Sequence, residues 1–245
     1  LSADAPVRSL LPAINTHEHL LAERHLERYL PAARALNVKK TVIVASPRFT
    51  LFGKGEQGEP SMSENFKTVL AAAQSYPEEI VPFFTLSPDD PDPLARAKQH
   101  VAAGGKGVKL YTGHSNLHKQ PLDDPKMMPV YAYFEEIGLP INWHINLTKW
   151  HGEFEKVMDK HPKLNVMVPH FGVCFWNPEK YMPLMSLAII VVNIWMRPRP
   201  AVLPGDAEAE AAVPAVARAV GVSPVEPLED PRQRLRRDVR AGVVD

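Results

Sequence analysis

The feature that most constrains this chain is a rhythm. Through the first 182 residues, short apolar runs rich in β-branched residues alternate with stretches of helical periodicity. The runs Ala13–Glu18, Lys40–Ala45, Val81–Leu86, Gly107–Tyr111, Pro140–Asn146 and Asn165–His170 read as strands. Between them, LERYLPAARALN, SENFKTVLAAAQSY, DPLARAKQHVAAG, PVYAYFEEIG and GEFEKVMDKH read as helices. Gly104, Gly105 and Gly138 mark helix ends, while Pro88, Pro140 and Pro162 sit at loop or strand edges. Repeated β–α units imply a parallel sheet with right-handed crossovers, covered by helices so that strands are apolar on both faces. Six units crowd an open sheet of this length, and eight close a barrel. No G-x-G-x-x-G follows the first run, which weighs against a dinucleotide-binding open sheet. The expected class is α/β, a (β/α)8 TIM barrel.

Its last two strands are expected to be missing or irregular. Up to residue 183 the chain holds 14 lysines and 6 arginines; beyond it there are 8 arginines and no Lys, His, Thr, Tyr or Phe. Such a shift reads as a loosely helical or disordered tail, a separate small element, or an out-of-frame terminus; the Ala/Pro/Val/Arg bias suits the last. The division expected is a barrel unit over 1–182 and an atypical segment over 183–245. IIVVNIW (189–195) has the length and β-branching of strand seven. Prolines at 198, 200, 204, 214, 224, 227 and 231 then argue against a central eighth strand, because proline lacks a ladder donor. GDAEAEAAVPAVARAV reads as a helix broken at Pro214. Strand one would keep an unpaired edge, leaving room for a second copy of the chain in a homo-oligomer.

Charge narrows the partners. Twenty-eight Lys and Arg balance 28 Asp and Glu, so no basic surplus favours nucleic acid or an anionic membrane. QRLRRDVR (233–240) reads as a solvated charge run. The lone Cys174 excludes an internal disulfide and requires no oxidising compartment, which fits a cytoplasmic location. The longest apolar run, Ser186–Met196, is about half of the roughly 20 residues that a spanning helix needs. LSADAPVRSLL lacks the pattern of a signal peptide, although a chain starting at Leu1 leaves a removed leader open.

Chemistry is written at the strand ends. In AINTHEHL, His17 and His19 lie two apart on a strand and share a face, with Glu18 opposite; two such imidazoles suit one divalent cation. In PINWHIN, His144 shares a face with Asn142 and Asn146, while Trp143 and the isoleucines suit the helix-covered side. His170 ends the sixth run, just before a turn at Gly172. C-terminal strand ends are where parallel α/β proteins build active sites. Lys109 shares a face with Tyr111, His114 follows the fourth run, and Arg48 ends the second, where it would suit a substrate carboxylate. His25, His100, His118, His151 and His161 read as solvated; Trp143, Trp150, Met127 and Met128 read as packing. Cys174 and Trp176 follow the sixth strand with no evident partner.

INTHEH, GVKLYTGH, INWHIN and VMVPHFG together resemble the amidohydrolase superfamily, within it the amidohydrolase-2 branch, over about residues 10 to 175; the segment from about residue 183 does not share the likeness. The resemblance implies a metal-dependent hydrolase or a related decarboxylase acting on a small molecule. It implies His17, His19 and His144 as ligands of a divalent cation, zinc most commonly, and His170 as a further ligand or proton-transfer residue. It also implies an Asp at the end of strand eight, echoed only faintly by Asp206 in VLPGDAE. Lys109 matches the place of a carbamylated lysine bridging two metals in the binuclear branch of the superfamily, although the amidohydrolase-2 branch is mostly mononuclear; His114 would meet substrate. The expected reaction is attack of a metal-activated water on a C–N or C–O carbonyl bond. Metal-dependent decarboxylation is the alternative, and a remnant lacking the strand-eight Asp is a third. The three ligands should converge on one point, their nitrogens about 3–4 Å apart, with His170 in reach.

Overall fold

A computed structural model of the chain describes residues 12–114, 116–118, 120–173 and 189–191. All of these lie in one compact unit, Leu1–Met196. Seven strands stand side by side in chain order: β1 (Ala13–His19), β2 (Val38–Val44), β3 (Ile80–Leu86), β4 (Gly107–Leu110), β5 (Ile141–Trp143), β6 (Val166–Pro169) and β7 (Ile189–Val191). Every neighbouring pair is parallel. An unbroken sequential order is that of a barrel; a doubly wound sheet reverses its order partway. The helices are α1 (Leu26–Ala35), α2 (Arg48–Phe52), α3 (Glu59–Ser75), α4 (Pro93–Ala102), α5 (Met128–Ile137) and α6 (Leu147–Lys160).

The sheet curls far enough to bring distant strands together. The Asn142 side-chain amide on β5 donates to the Thr16 carbonyl on β1 at 3.2 Å. With strands about 4.8 Å apart, those two would be separated by about 19 Å in a flat sheet. The chain therefore folds as a partial (β/α)8 barrel, with β1 and β7 ending the row among the described residues.

Local sequence accounts for the elements. All seven residues of β3 are buried, as a strand covered on both faces requires. Asp92 caps α4, its carboxylate accepting from the Ala95 backbone N–H at 2.9 Å, with Pro93 following in the first turn. On α6, Leu147, Trp150, Phe154, Val157 and Met158 form one buried stripe at helical spacing. Gly138 ends α5 at φ 65°, a left-handed turn that glycine enters without steric cost. The core lies between sheet and helices, where Trp143 packs 5.1 Å from Tyr131 and 5.9 Å from Phe154. Its indole N–H donates to the Thr112 carbonyl and hydroxyl at 2.9 Å.

The six strands expected from sequence all form, with shifted ends; β5 stops at Trp143 because the chain turns into α6 at Leu147. The short helix α2 was not foreseen. Of the seventh candidate run, Ile189–Val191 pairs with β6. The rest of 183–245, with Asp206 and the eighth strand, lies outside the described residues, as do Cys174 and Trp176. No described helix is long and apolar enough to cross a membrane.

Candidate metal centre

β1 does not run regularly to its end. Its register against β2 shifts between Asn15 and Glu18. Side chains take up the freed backbone donors: the His17 N–H donates to Asn15 Oδ1 at 3.2 Å, and the His19 N–H to Glu18 Oε1 at 3.0 Å. Bulges of this kind re-aim side chains beside functional sites. Here the His17 and His19 rings stand 4.9 Å apart.

The other imidazoles arrive from β5, β6 and the loop after β4. His144 follows β5 directly, and its backbone N–H donates to the Leu110 carbonyl at 2.9 Å. His170 opens the turn after β6 in a left-handed conformation, φ 58°, which is unusual for a residue with a Cβ. Its ring lies 5.3 Å from His17 and 5.1 Å from His144, joining the two sides of the barrel mouth. His114 lies 4.3 Å from His144. Gly172 closes the turn beneath this group at φ 60°, and a Cβ there would come within 2.4 Å of the Leu147 side chain.

Below the rings a polar interior holds them. Fully buried Lys109 donates to Asn142 Oδ1 at 2.7 Å, so β4, β5 and β1 are tied through one lysine and one amide. His19 Nδ1 lies 2.7 Å from the buried Ser46 hydroxyl, which lies 3.1 Å from the Tyr111 hydroxyl. The Ser46 backbone N–H in turn donates to Asn65 Oδ1 at 2.9 Å.

Electrostatics keep these rings neutral. Burial first, then the Lys109 side chain and His170, push His19 down to about 3. Burial, then Lys109 and His114, push His170 down to about 4. His17 and His144 are held well below the usual histidine range, by burial first and Lys109 next. Burial likewise pushes the Lys109 ammonium well down, and raises the Tyr111 phenol to about 12. A neutral imidazole is the form that binds a metal.

The donor set fits a divalent cation. Rings bonded through nitrogens about 2.0–2.1 Å from one ion place their centroids about 4.5–5.2 Å apart. The His17–His19 and His144–His170 separations, 4.9 and 5.1 Å, fall in that range, and the His17–His170 separation of 5.3 Å lies just outside it. The expected convergence of three ligands on one point is not seen: among the described residues, no three His, Cys, Asp or Glu side chains enclose one point at coordination distance.

The structure thus brings His17, His19, His144, His170 and His114 to one end of the barrel. Lys109 lies in the interior, enclosed by its bond to Asn142 rather than open to a ligand. Arg48 is placed differently from expectation. β2 ends at Val44, so Arg48 opens α2 instead, and its exposed guanidinium is engaged by Glu64 at 2.9 Å. Three histidines read as solvated are buried: His100, His118 and His161. His100 lies between Phe66 and Phe84, and His161 Nδ1 is 3.2 Å from Glu135. His25 is exposed as expected and His151 half-buried. Ser46 went unnoticed in the sequence; its one signal was its place just past the second strand.

The sequence matches the amidohydrolase family model over residues 14–222. The match passes residue 183, where the motif likeness ended; that likeness rested on strand-end histidines, and none follows His170. No curated protein sequence matches the chain at a significant level. Among solved structures, a TIM-barrel protein from Bordetella bronchiseptica aligns at 18% identity and TM-score 0.52, covering 67% of this chain and 58% of that one. The 5-carboxyvanillate decarboxylase of Sphingomonas paucimobilis aligns at 15% identity and TM-score 0.56, covering 87% and 100%. A Pseudomonas putida protein proposed to be a 2-pyrone-4,6-dicarboxylic acid hydrolase aligns at 17% identity and TM-score 0.54, covering 89% and 84%. At these identities the likeness is one of fold.

Proposed function

Since the chain belongs to the amidohydrolase family, we propose that it is a metal-dependent hydrolase acting on a C–N or C–O carbonyl bond of a small molecule. The observation that carries this reading is the ring group of His17, His19, His144 and His170 at the C-terminal ends of β1, β5 and β6. His17, His19 and His144 would hold one divalent cation, zinc in this proposal. When bound, it would polarise a carbonyl and acidify a water.

The chain's own residues supply the rest. His170, neutral and beside both His17 and His144, accepts a proton at its free ring nitrogen and returns it to the leaving group. His114, half-buried and against His144, is placed to orient substrate. Ser46 fixes His19 from behind through Nδ1, so that Nε2 faces the centre. Lys109 and Asn142 hold the strand ends from within, and Arg48 would reach a substrate carboxylate only by releasing Glu64.

Decarboxylation of a small carboxylic acid is the second reading, favoured by the fold's likeness to a decarboxylase. An assay of the zinc-loaded chain on lactones and amides beside aromatic and enol carboxylates decides between them. Turnover of the first group, lost in His170→Ala, supports hydrolysis; carbon dioxide release from the second replaces it. Weak or absent metal retention, with no turnover of either group, would point to the catalytically incomplete alternative.

A further inference from the structure

A cleft of about 620 Å³ opens between the loops that follow β2, β3 and β4. Gln57 comes from the first loop, Asp89 from the second, and Asn116, His118 and Gln120 from the third. These loops leave the same end of the barrel as the strand-end histidines. His118 is tied to that centre: it pairs with Thr112, and its carbonyl accepts the Gly113 N–H at 3.1 Å. The next residue, His114, carries the ring 4.3 Å from His144.

The polar groups of this cleft are incompletely used. His118 is only 4% exposed; the Gln57 backbone takes up one ring nitrogen, and the other has no hydrogen-bond partner among the described residues. Gln120 donates its amide to Asp89 Oδ1 at 2.6 Å, while its own Oε1 is buried without a partner. A buried polar group without a partner is costly, and an incoming partner removes that cost. Burial pushes the His118 imidazole down and prevails over the Asp89 carboxylate and the Gln57 backbone, leaving the ring neutral with one donor and one acceptor. The unsatisfied groups that remain are acceptors, Gln120 Oε1 and one His118 nitrogen, and the Asp89 carboxylate lies beside them.

We propose that this cleft is a binding subsite, beside the histidine centre, for a group rich in hydrogen-bond donors, hydroxyl or ammonium. Its description as a subsite of the reaction centre rests on the function proposed above; ligand binding itself does not. A carboxylate of similar size is disfavoured, since it would bring acceptors to acceptors and a negative charge to Asp89.

The test uses the full chain with 15N-labelled histidine, stripped of metal with chelator, and the His118 resonance assigned from His118→Gln. D-glucosamine, D-glucose and D-glucuronate serve as probes of one size. Glucosamine and glucose should move the His118 signal saturably, with glucuronate at least tenfold weaker. Gln120→Leu should weaken glucosamine at least tenfold. Absence of saturable binding, glucuronate binding as tightly as glucosamine, or indifference to Gln120→Leu would each overturn the proposal. The comparison of probes on the unaltered chain stands even where a variant fails to fold. Because the protein is metal-free throughout, failure here is distinct from failure of the metal assignment.

Discussion

Two groups of buried histidines lie at different depths of the same barrel. His100, in the helical layer, sits edge-on to Phe66 at 4.9 Å and 5.2 Å from Phe84, with Arg96, Asp90 and Glu59 facing it. The strand-end group of His17, His19, His144 and His170 has instead its own kind for neighbours, and among the described residues Lys109 and other imidazoles, not carboxylates, shift its members. His100 and the strand-end rings are all neutral, and burial is the largest cause for each. Burial of an imidazole therefore does not mark a ligand. What sets the strand-end group apart is the meeting of several neutral rings, whose lone pairs suit a cation.

The largest expected effect separates the groups outright. His17→Ala and His144→Ala should each lower metal affinity by well over about 100-fold and abolish turnover, since loss of an inner ligand exceeds the 10–100-fold typical of outer partners. His161→Ala should leave metal binding within about twofold, the scatter expected of a distant site. Equilibrium dialysis with metal analysis measures both, and equal losses would erase the distinction.

Acid stability sharpens it from the other side. Burial first, then Arg96, hold His100 at about 4 against an ordinary 6.5, while Asp90 works the other way. The unfolded chain therefore binds more protons between those values, so this contribution is complete above about pH 6.5 and is lost as pH falls toward 4. Its size is on the order of 3 kcal/mol. Glu59, raised by burial, acts in the opposite sense and remains in the variant. The difference in urea stability between the chain and His100→Leu should accordingly vary with pH only across that window; a pH-independent difference would contradict the assignment.

Smaller effects probe the support of the strand-end group. Gly172→Ala places a Cβ against Leu147 in a left-handed backbone and should cost about 1–3 kcal/mol in urea unfolding. An unchanged midpoint would show that the turn below His170 has slack. Ser46→Ala removes the partner of His19 Nδ1 and should weaken metal binding by about tenfold, with little change in stability.

Much of this was legible in the sequence. Strand runs carried their β-branched signature, and two-residue periodicity placed His17 with His19 and turned Trp143 outward, so the direction of His144 followed. What escaped depends on tertiary packing. Nothing local distinguishes His100 on α4 from a solvated helical histidine; Phe66 on α3 and Phe84 on β3 bury it. Arg48 was misplaced because β2 ends at Val44 and the chain turns into an unforeseen helix where Glu64 can meet it. Ser46 carries no pattern of its own; pairing of β1 with β2, which sets His19 opposite Val44, brings it to His19, and the arrangement of the later strands adds Tyr111.

The central claim is that the strand-end histidines form a metal centre. Metal content of the purified full chain, dialysed against buffered zinc and then metal-free buffer, tests it most directly. The account predicts about one tightly held equivalent per chain, as a site with three imidazole ligands implies, lost in His144→Ala while the variant still unfolds cooperatively. No retained metal in a cooperatively folded chain, or full retention in the variant, would contradict it.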